Sequence, residues 1–216
     1  MLDQKGFDLW ANGYDKAVGL SDEENSYPFA GYKEALASIF QTVMGKKNAV
    51  ILDIGFGTAT LTTKLYEQGC NVFGQDFSAK MIDLAAAKMP DAHLYQGDFS
   101  KSLATPLLQQ SYDFILATYS LHHLTDRQKV DFLGVLKGLL KAEGSILIGD
   151  VAFENRRELN LCRKKAGDGW DDDEFYFVAD EMQEAFPEMN FKKLSFCTGI
   201  LSIPKNSCLQ GGRQEP

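Results

Sequence analysis

The stretch from residue 48 to residue 61, NAVILDIGFGTATL, restricts what this chain can fold into more than any other. Four apolar residues, Ala49 to Leu52, lead to Asp53, and the glycine-spaced turn Gly55-Phe56-Gly57 follows. A short apolar run bounded by turn signals predicts a buried strand. Glycines at alternate positions permit a sharp turn and a close approach of backbone to a ligand. The residues from Thr58 onward suit a helix, whose free N–H groups and positive dipole end would face that ligand. Strand, glycine turn and helix in this order predict a nucleotide or nucleoside site in an α/β sheet.

The dinucleotide fingerprint GxGxxG needs a third glycine where this chain has Thr60. Asp53 points the same way. A carboxylate repels a pyrophosphate but attracts an ammonium group, through Coulomb terms that grow where water is scarce. A second acid, Asp76, ends a predicted second strand over 71–76, where a carboxylate can bind both ribose hydroxyls. Phe77 follows, and Ser78 suits the N-cap of a helix reaching Lys88. A third strand over 92–96 runs into Gly97-Asp98-Phe99. A fourth over 112–117 runs into Thr118-Tyr119-Ser120-Leu121-His122-His123-Leu124, at the strand ends where open α/β sheets bind ligands.

Together these segments resemble the motifs of class I S-adenosylmethionine-dependent methyltransferases, and among them the bacterial small-molecule enzymes. Asp53-Ile54-Gly55-Phe56-Gly57 resembles motif I, with Ala59 where members usually carry a third glycine. Gly97-Asp98-Phe99 resembles the adenine-binding loop, and 117–124 the exit past the sulfonium centre. Trp10…Tyr14-Asp15 resembles the stretch whose Tyr helps close over the methionyl end. The resemblance implies S-adenosylmethionine as cofactor, held by Tyr14, Asp53, Gly55, Gly57, Thr58, Asp76, Phe77, Asp98, Phe99 and Thr118. His122 or His123 would orient the attacking atom or take its proton, and Tyr119, Trp170 and Tyr176 would face a small-molecule acceptor. Direct displacement of this kind calls for no metal. The competing classes are a non-catalytic cofactor-binding protein and a nicotinamide oxidoreductase.

The flanks agree with this reading. A helical cap over 1–45, a cofactor core over 46–150 and a substrate-side region over 151–205 form one expected domain, with 206–216 a disordered tail. Within the last region the pattern predicts a helix over 153–165, an acidic loop over 166–174, a helix over 178–186, and a strand pair, 191–197 and 200–204, about Thr198-Gly199. The expected fold is α/β: a Rossmann-like mixed sheet, mostly parallel, with a C-terminal antiparallel pair and helices on both faces. Charge narrows the partners. A net charge of −8 speaks against nucleic acid, whose phosphates need a basic surface. No run approaches the ~18–20 apolar residues of a membrane span. The opening MLDQKGFDLW lacks the pattern of a secretory leader, and Cys70, Cys162, Cys197 and Cys208 form no CxxC pair, so a cytoplasmic protein with reduced thiols is expected. The oligomeric state is left open.

Overall fold

The computed structural model describes residues 25–206. Trp10 and Tyr14, the rest of 1–24, and the tail beyond residue 206 lie outside the described residues.

The elements follow the predicted alternation: α1 (Tyr32–Met44), β1 (Val50–Ile54), α2 (Thr60–Glu67), β2 (Asn71–Asp76), α3 (Ala79–Lys88), β3 (His93–Gln96), α4 (Thr105–Leu108) and β4 (Tyr112–Thr118). A 3-10 turn, Leu121–His123, leads into α5 (Asp126–Leu139) and β5 (Leu140–Phe153). Then come α6 (Arg156–Ala166), β6 (Phe177–Val178), α7 (Ala179–Ala185), β7 (Asn190–Lys193) and β8 (Thr198–Pro204). The sheet order is β3-β2-β1-β4-β5-β8-β7, with β6 paired to the end of β5. Strands β1 to β5 are mutually parallel, and β8 runs antiparallel to both β5 and β7. The sheet is therefore mixed and mostly parallel, and closes on an antiparallel pair.

Period-two alternation explains why helices cover both faces. Leu52 and Ile54 of β1 pack with Leu107 of α4, Leu133 and Leu136 of α5 and Met182 of α7. Ile51, pointing the other way, packs with Ile39 and Val43 of α1, Leu61 and Leu65 of α2 and Ala85 of α3. Each fully buried Leu or Ile contributes roughly 1.5–3 kcal/mol. Asp113 pins the register where β1, β4 and β5 begin. It accepts the Val50 N–H at 2.8 Å and the Lys141 ammonium at 2.7 Å, and pairs with Lys46 at 2.6 Å. Burial alone would raise this carboxyl, but these donors outweigh it and hold it at about 2.

Three expectations need correction. The residues 153–165 are not all helix: β5 continues to Phe153, and α6 starts at Arg156 with Asn155 as its cap. Val151 pairs with Thr198, and Ala152 and Phe153 pair with β6, so neighbours absent from the local pattern extend the strand. The predicted turn at Thr198-Gly199 lies inside β8, and the connection occupies 194–197 instead. Gly199 is a packing glycine: a Cβ there would run into the ring of Phe191. The helix after the glycine turn starts at Thr60 rather than Thr58, because Ala59 adopts a left-handed conformation with φ 57°.

Candidate active site

A cavity of about 730 Å³ opens at the carboxyl ends of β1, β2 and β4. Small-molecule sites commonly measure about 300–1,000 Å³. Strand β1 lies between β2 and β4, where the strand order reverses, and that is where open α/β sheets leave a ligand crevice.

The glycine turn forms the floor. Gly55 has φ +67° and donates to the Gln75 carbonyl at 2.8 Å. A Cβ on Gly55 would lie 2.6 Å from Cβ of Ser120 and 3.3 Å from Cε1 of Phe99. Ser120 in turn donates to the Ile54 carbonyl at 2.7 Å, tying the turn to the exit of β4. Gly57, with φ +53°, is different: a Cβ there would meet nothing within 4 Å. Its missing side chain leaves room for close approach from the cavity, whose wall Gly57 and Thr58 share.

Asp76 and Asp98 both stand on the cavity wall. Asp76 accepts the Gly57 N–H at 2.8 Å on one oxygen and the Ser78 N–H at 2.9 Å on the other. It therefore braces the glycine turn and the entry to α3 together. Asp98 accepts the Ser100 N–H at 3.0 Å and pairs with Lys101 at 2.9 Å. Partial burial would raise its carboxyl, but Ser100 and Lys101 lower it on balance.

Asp53 is placed elsewhere, and it does not line the cavity. Strand alternation turns it to the face of Ile51, under α2, where the Thr62 hydroxyl donates to it. It is 1% exposed, and its second oxygen has no hydrogen-bond partner among the described residues. Burial pushes this carboxyl up to about 7; Thr62 opposes the shift and the nearby Asp76 charge adds to it. The folded state thus keeps a proton that the unfolded chain loses near pH 4, so stability falls as pH rises from about 4 to about 7. The Asp53→Asn variant, which has no charge to gain, should lack that slope. Chemical denaturation of both proteins at pH 4, 5.5 and 7.5 should show the variant gaining on the parent as pH rises. Parallel stability curves would contradict the assignment.

Phe77, Phe99, Thr118, Tyr119 and Tyr176 all reach the wall. Tyr119 has φ 50°, its hydroxyl is 2.9 Å from the Thr198 hydroxyl, and its ring packs on Phe29 and Tyr32. Trp170, expected to face the acceptor, is not on the wall. It stacks on Tyr27 at 5.2 Å and meets Tyr176 edge-on at 4.9 Å, and so supports the wall from behind.

The histidine pair also lines this cavity. Nδ1 of His122 is 2.7 Å from Asp150 and its Nε2 is 3.4 Å from Glu174. Burial would lower this imidazole, but the two carboxylates outweigh it and raise it. The His123 ring centroid lies 4.3 Å from that of His122, and burial together with the His122 charge pushes His123 down to about 4. Tyr176 donates to Glu174 at 2.7 Å, and Tyr27 hydrogen-bonds to the Tyr176 hydroxyl. The segment that carries Glu174 is anchored. The Phe175 N–H reaches the His122 carbonyl at 2.8 Å, and the buried Lys129 ammonium donates to the Phe175 carbonyl and to Asp126. Asp150, Tyr27 and Ser120 were not singled out by the sequence reading. Asp150 left a signal, since it is a lone acid within the apolar run of β5. Tyr27 left none, because its contacts join distant parts of the chain.

A reversed strand order, a glycine turn at the reversal and an antiparallel closing strand define the class I methyltransferase architecture. Residues 51–144 match the family described as a methyltransferase domain. The chain is 36% identical over 193 residues to an uncharacterized methyltransferase of Geobacillus sp. strain WCH70, covering 86% of this chain and 87% of the relative. It is 39% identical over 150 residues to another from Anoxybacillus flavithermus, covering 69% and 68%. In fold it is similar to the DhpI–SAH complex, with a TM-score of 0.67, 16% identity and 93% of each chain covered. The chain belongs to the class I S-adenosylmethionine-dependent methyltransferase family. Among the described residues no helix is long and apolar enough to cross a membrane.

Proposed function

We propose that this enzyme methylates a small-molecule acceptor by direct displacement, with the nucleoside held at the glycine-turn end and the acceptor received beside His122 and His123. One observation carries this reading: a single cavity is lined by Gly57, Asp76, Asp98 and Phe99 and also by His122, His123, Glu174 and Tyr176. The residues fit a sulfonium nucleoside. Gly57 leaves open space for it, Asp76 and Asp98 offer carboxylates to sugar and base amino groups, and Phe77 and Phe99 offer apolar rings. When bound, S-adenosylmethionine supplies an electrophilic methyl group on sulfur.

The protein's own work is placement. Acceptor and methyl must come within ~3–3.5 Å and in line. Tyr27, Phe29, Tyr32 and Tyr119 form an aromatic wall that keeps water from the acceptor end. His122 and His123 hold the attacking atom and favour loss of its proton. The acidic surface, with its net charge of −8, favours a small acceptor over nucleic acid. Buried free Cys70, Cys162 and Cys197 fit a reducing cytoplasm.

His123→Ala tests the division of the cavity. Calorimetry should show affinity for S-adenosylhomocysteine within about twofold of the parent. Turnover on whichever member of a hydroxyl, thiol and amine panel the parent methylates should drop by about 10²-fold or more, the usual scale for a positioned group acting on a proton. A large loss of affinity would move His123 to the cofactor end. Tight cofactor binding with no product from any acceptor would favour a non-catalytic binding protein.

A further inference from the structure

We propose that His122, His123 and Glu174 form a binding site for a divalent first-row transition-metal ion at the acceptor end of the cavity, with Asp150 and Tyr176 orienting two of the ligands. The three side chains each offer one donor atom, and these atoms lie within 4.8 Å of one another. A tetrahedral ion at about 2.0–2.2 Å from each donor sets them about 3.4 Å apart, so their separations would shrink by up to about 1.5 Å. All three residues line the cavity, so the remaining coordination positions would open to the acceptor. Two imidazoles and one carboxylate with open positions is a donor set suited to Zn²⁺, Fe²⁺, Mn²⁺ or Co²⁺.

The surroundings supply a second, independent argument. Asp150, fully buried, takes the Nδ1 side of His122 at 2.7 Å. The Nε2 of His122 lies 3.4 Å from a Glu174 oxygen. A carboxylate behind a histidine is also how metal sites fix the ligating nitrogen. The carboxylate of Glu174 is itself held, by the Tyr176 hydroxyl at 2.7 Å. Its loop is fastened to the histidine turn by the Phe175 N–H and by Lys129. A solvated acidic loop would not need these fastenings. A metal here would bind an acceptor hydroxyl or thiol and favour its anion, the form that attacks. The chemical use of the site rests on the methyl-transfer reading above, but the binding of metal does not.

The test uses the full chain, freed of any affinity tag and of metal, titrated with Co²⁺ and with Zn²⁺. The expected result is one equivalent bound, with visible d–d absorption for Co²⁺. His123→Ala and Glu174→Gln should each weaken binding by at least about tenfold, as should Asp150→Asn, since losing an orienting partner commonly costs 10–100-fold. His93→Ala, at the exposed third histidine, should leave it unchanged. Binding of S-adenosylhomocysteine, measured on every variant, reports that the fold and the cofactor end are intact. Absence of stoichiometric metal binding in a chain that still binds S-adenosylhomocysteine would overturn the metal site while sparing the cofactor assignment. Equal metal affinity in the parent, His123→Ala and Glu174→Gln would overturn it as well. In that case His122 is an imidazolium paired with two carboxylates.

Discussion

Gly55→Ala should lower the melting temperature by about 5–15 °C, while Gly57→Ala, two residues on in the same turn, should mainly weaken the cofactor. Both glycines have positive φ, so both substitutions meet the left-handed penalty of about 1–2 kcal/mol. They differ in what surrounds them. The new methyl at Gly55 would press on Ser120 Cβ at 2.6 Å, and Ser120 is fixed by its bond to the Ile54 carbonyl. Overpacking of this kind adds roughly 1–3 kcal/mol. At Gly57 the methyl meets nothing, and this glycine lines the cavity where the nucleoside is proposed to lie. Its affinity for S-adenosylhomocysteine should fall by at least about tenfold, or 1.4 kcal/mol. Thermal unfolding and calorimetry on the two variants separate the effects. Similar melting temperatures in both would show that the Ser120 contact is soft. Undiminished affinity in Gly57→Ala would show that the nucleoside does not approach this turn.

Asp76→Ala should weaken S-adenosylhomocysteine binding by roughly 1.5–3 kcal/mol, or about 10- to 150-fold, the scale of hydrogen bonds to a charged group. The structure adds a second effect. The variant also strands the Gly57 and Ser78 N–H groups, so stability should drop by about 1–3 kcal/mol. Asp76→Asn distinguishes the two roles, because an amide keeps one carbonyl acceptor but loses the charge. Affinity should then stay low while part of the stability returns. Affinity unchanged in Asp76→Ala, beside a clear loss of stability, would leave Asp76 as a brace for the turn and α3 alone.

Much of the site was legible because its residues follow strand ends in chain order. Asp76, Asp98, Thr118 and the histidine pair each stand at or shortly after the carboxyl end of a strand, and a parallel sheet brings such positions to one edge. Asp53 shows where that logic fails. It comes at the same kind of place in the chain, but one step of alternation turns its side chain under α2 to Thr62, and it does not line the cavity. Trp170 fails for another reason. An aromatic residue in an acidic loop reads as pocket-facing, and only its stacking on Tyr27 shows that it supports the wall.

The sequence by itself determined the strand-turn-helix order, the mixed sheet and the strand-end residues Asp76, Asp98 and Thr118 that line the cavity. Those depend on period-two burial, glycine conformations and capping residues, all of which are local. Only the tertiary structure decided how far β5 runs, that Gly199 packs against the Phe191 ring, and that Asp150 and Glu174 close on His122 from both sides. Each of these is a contact between segments far apart in the chain. Packing, rather than any local preference of the residues, sets which of them meet.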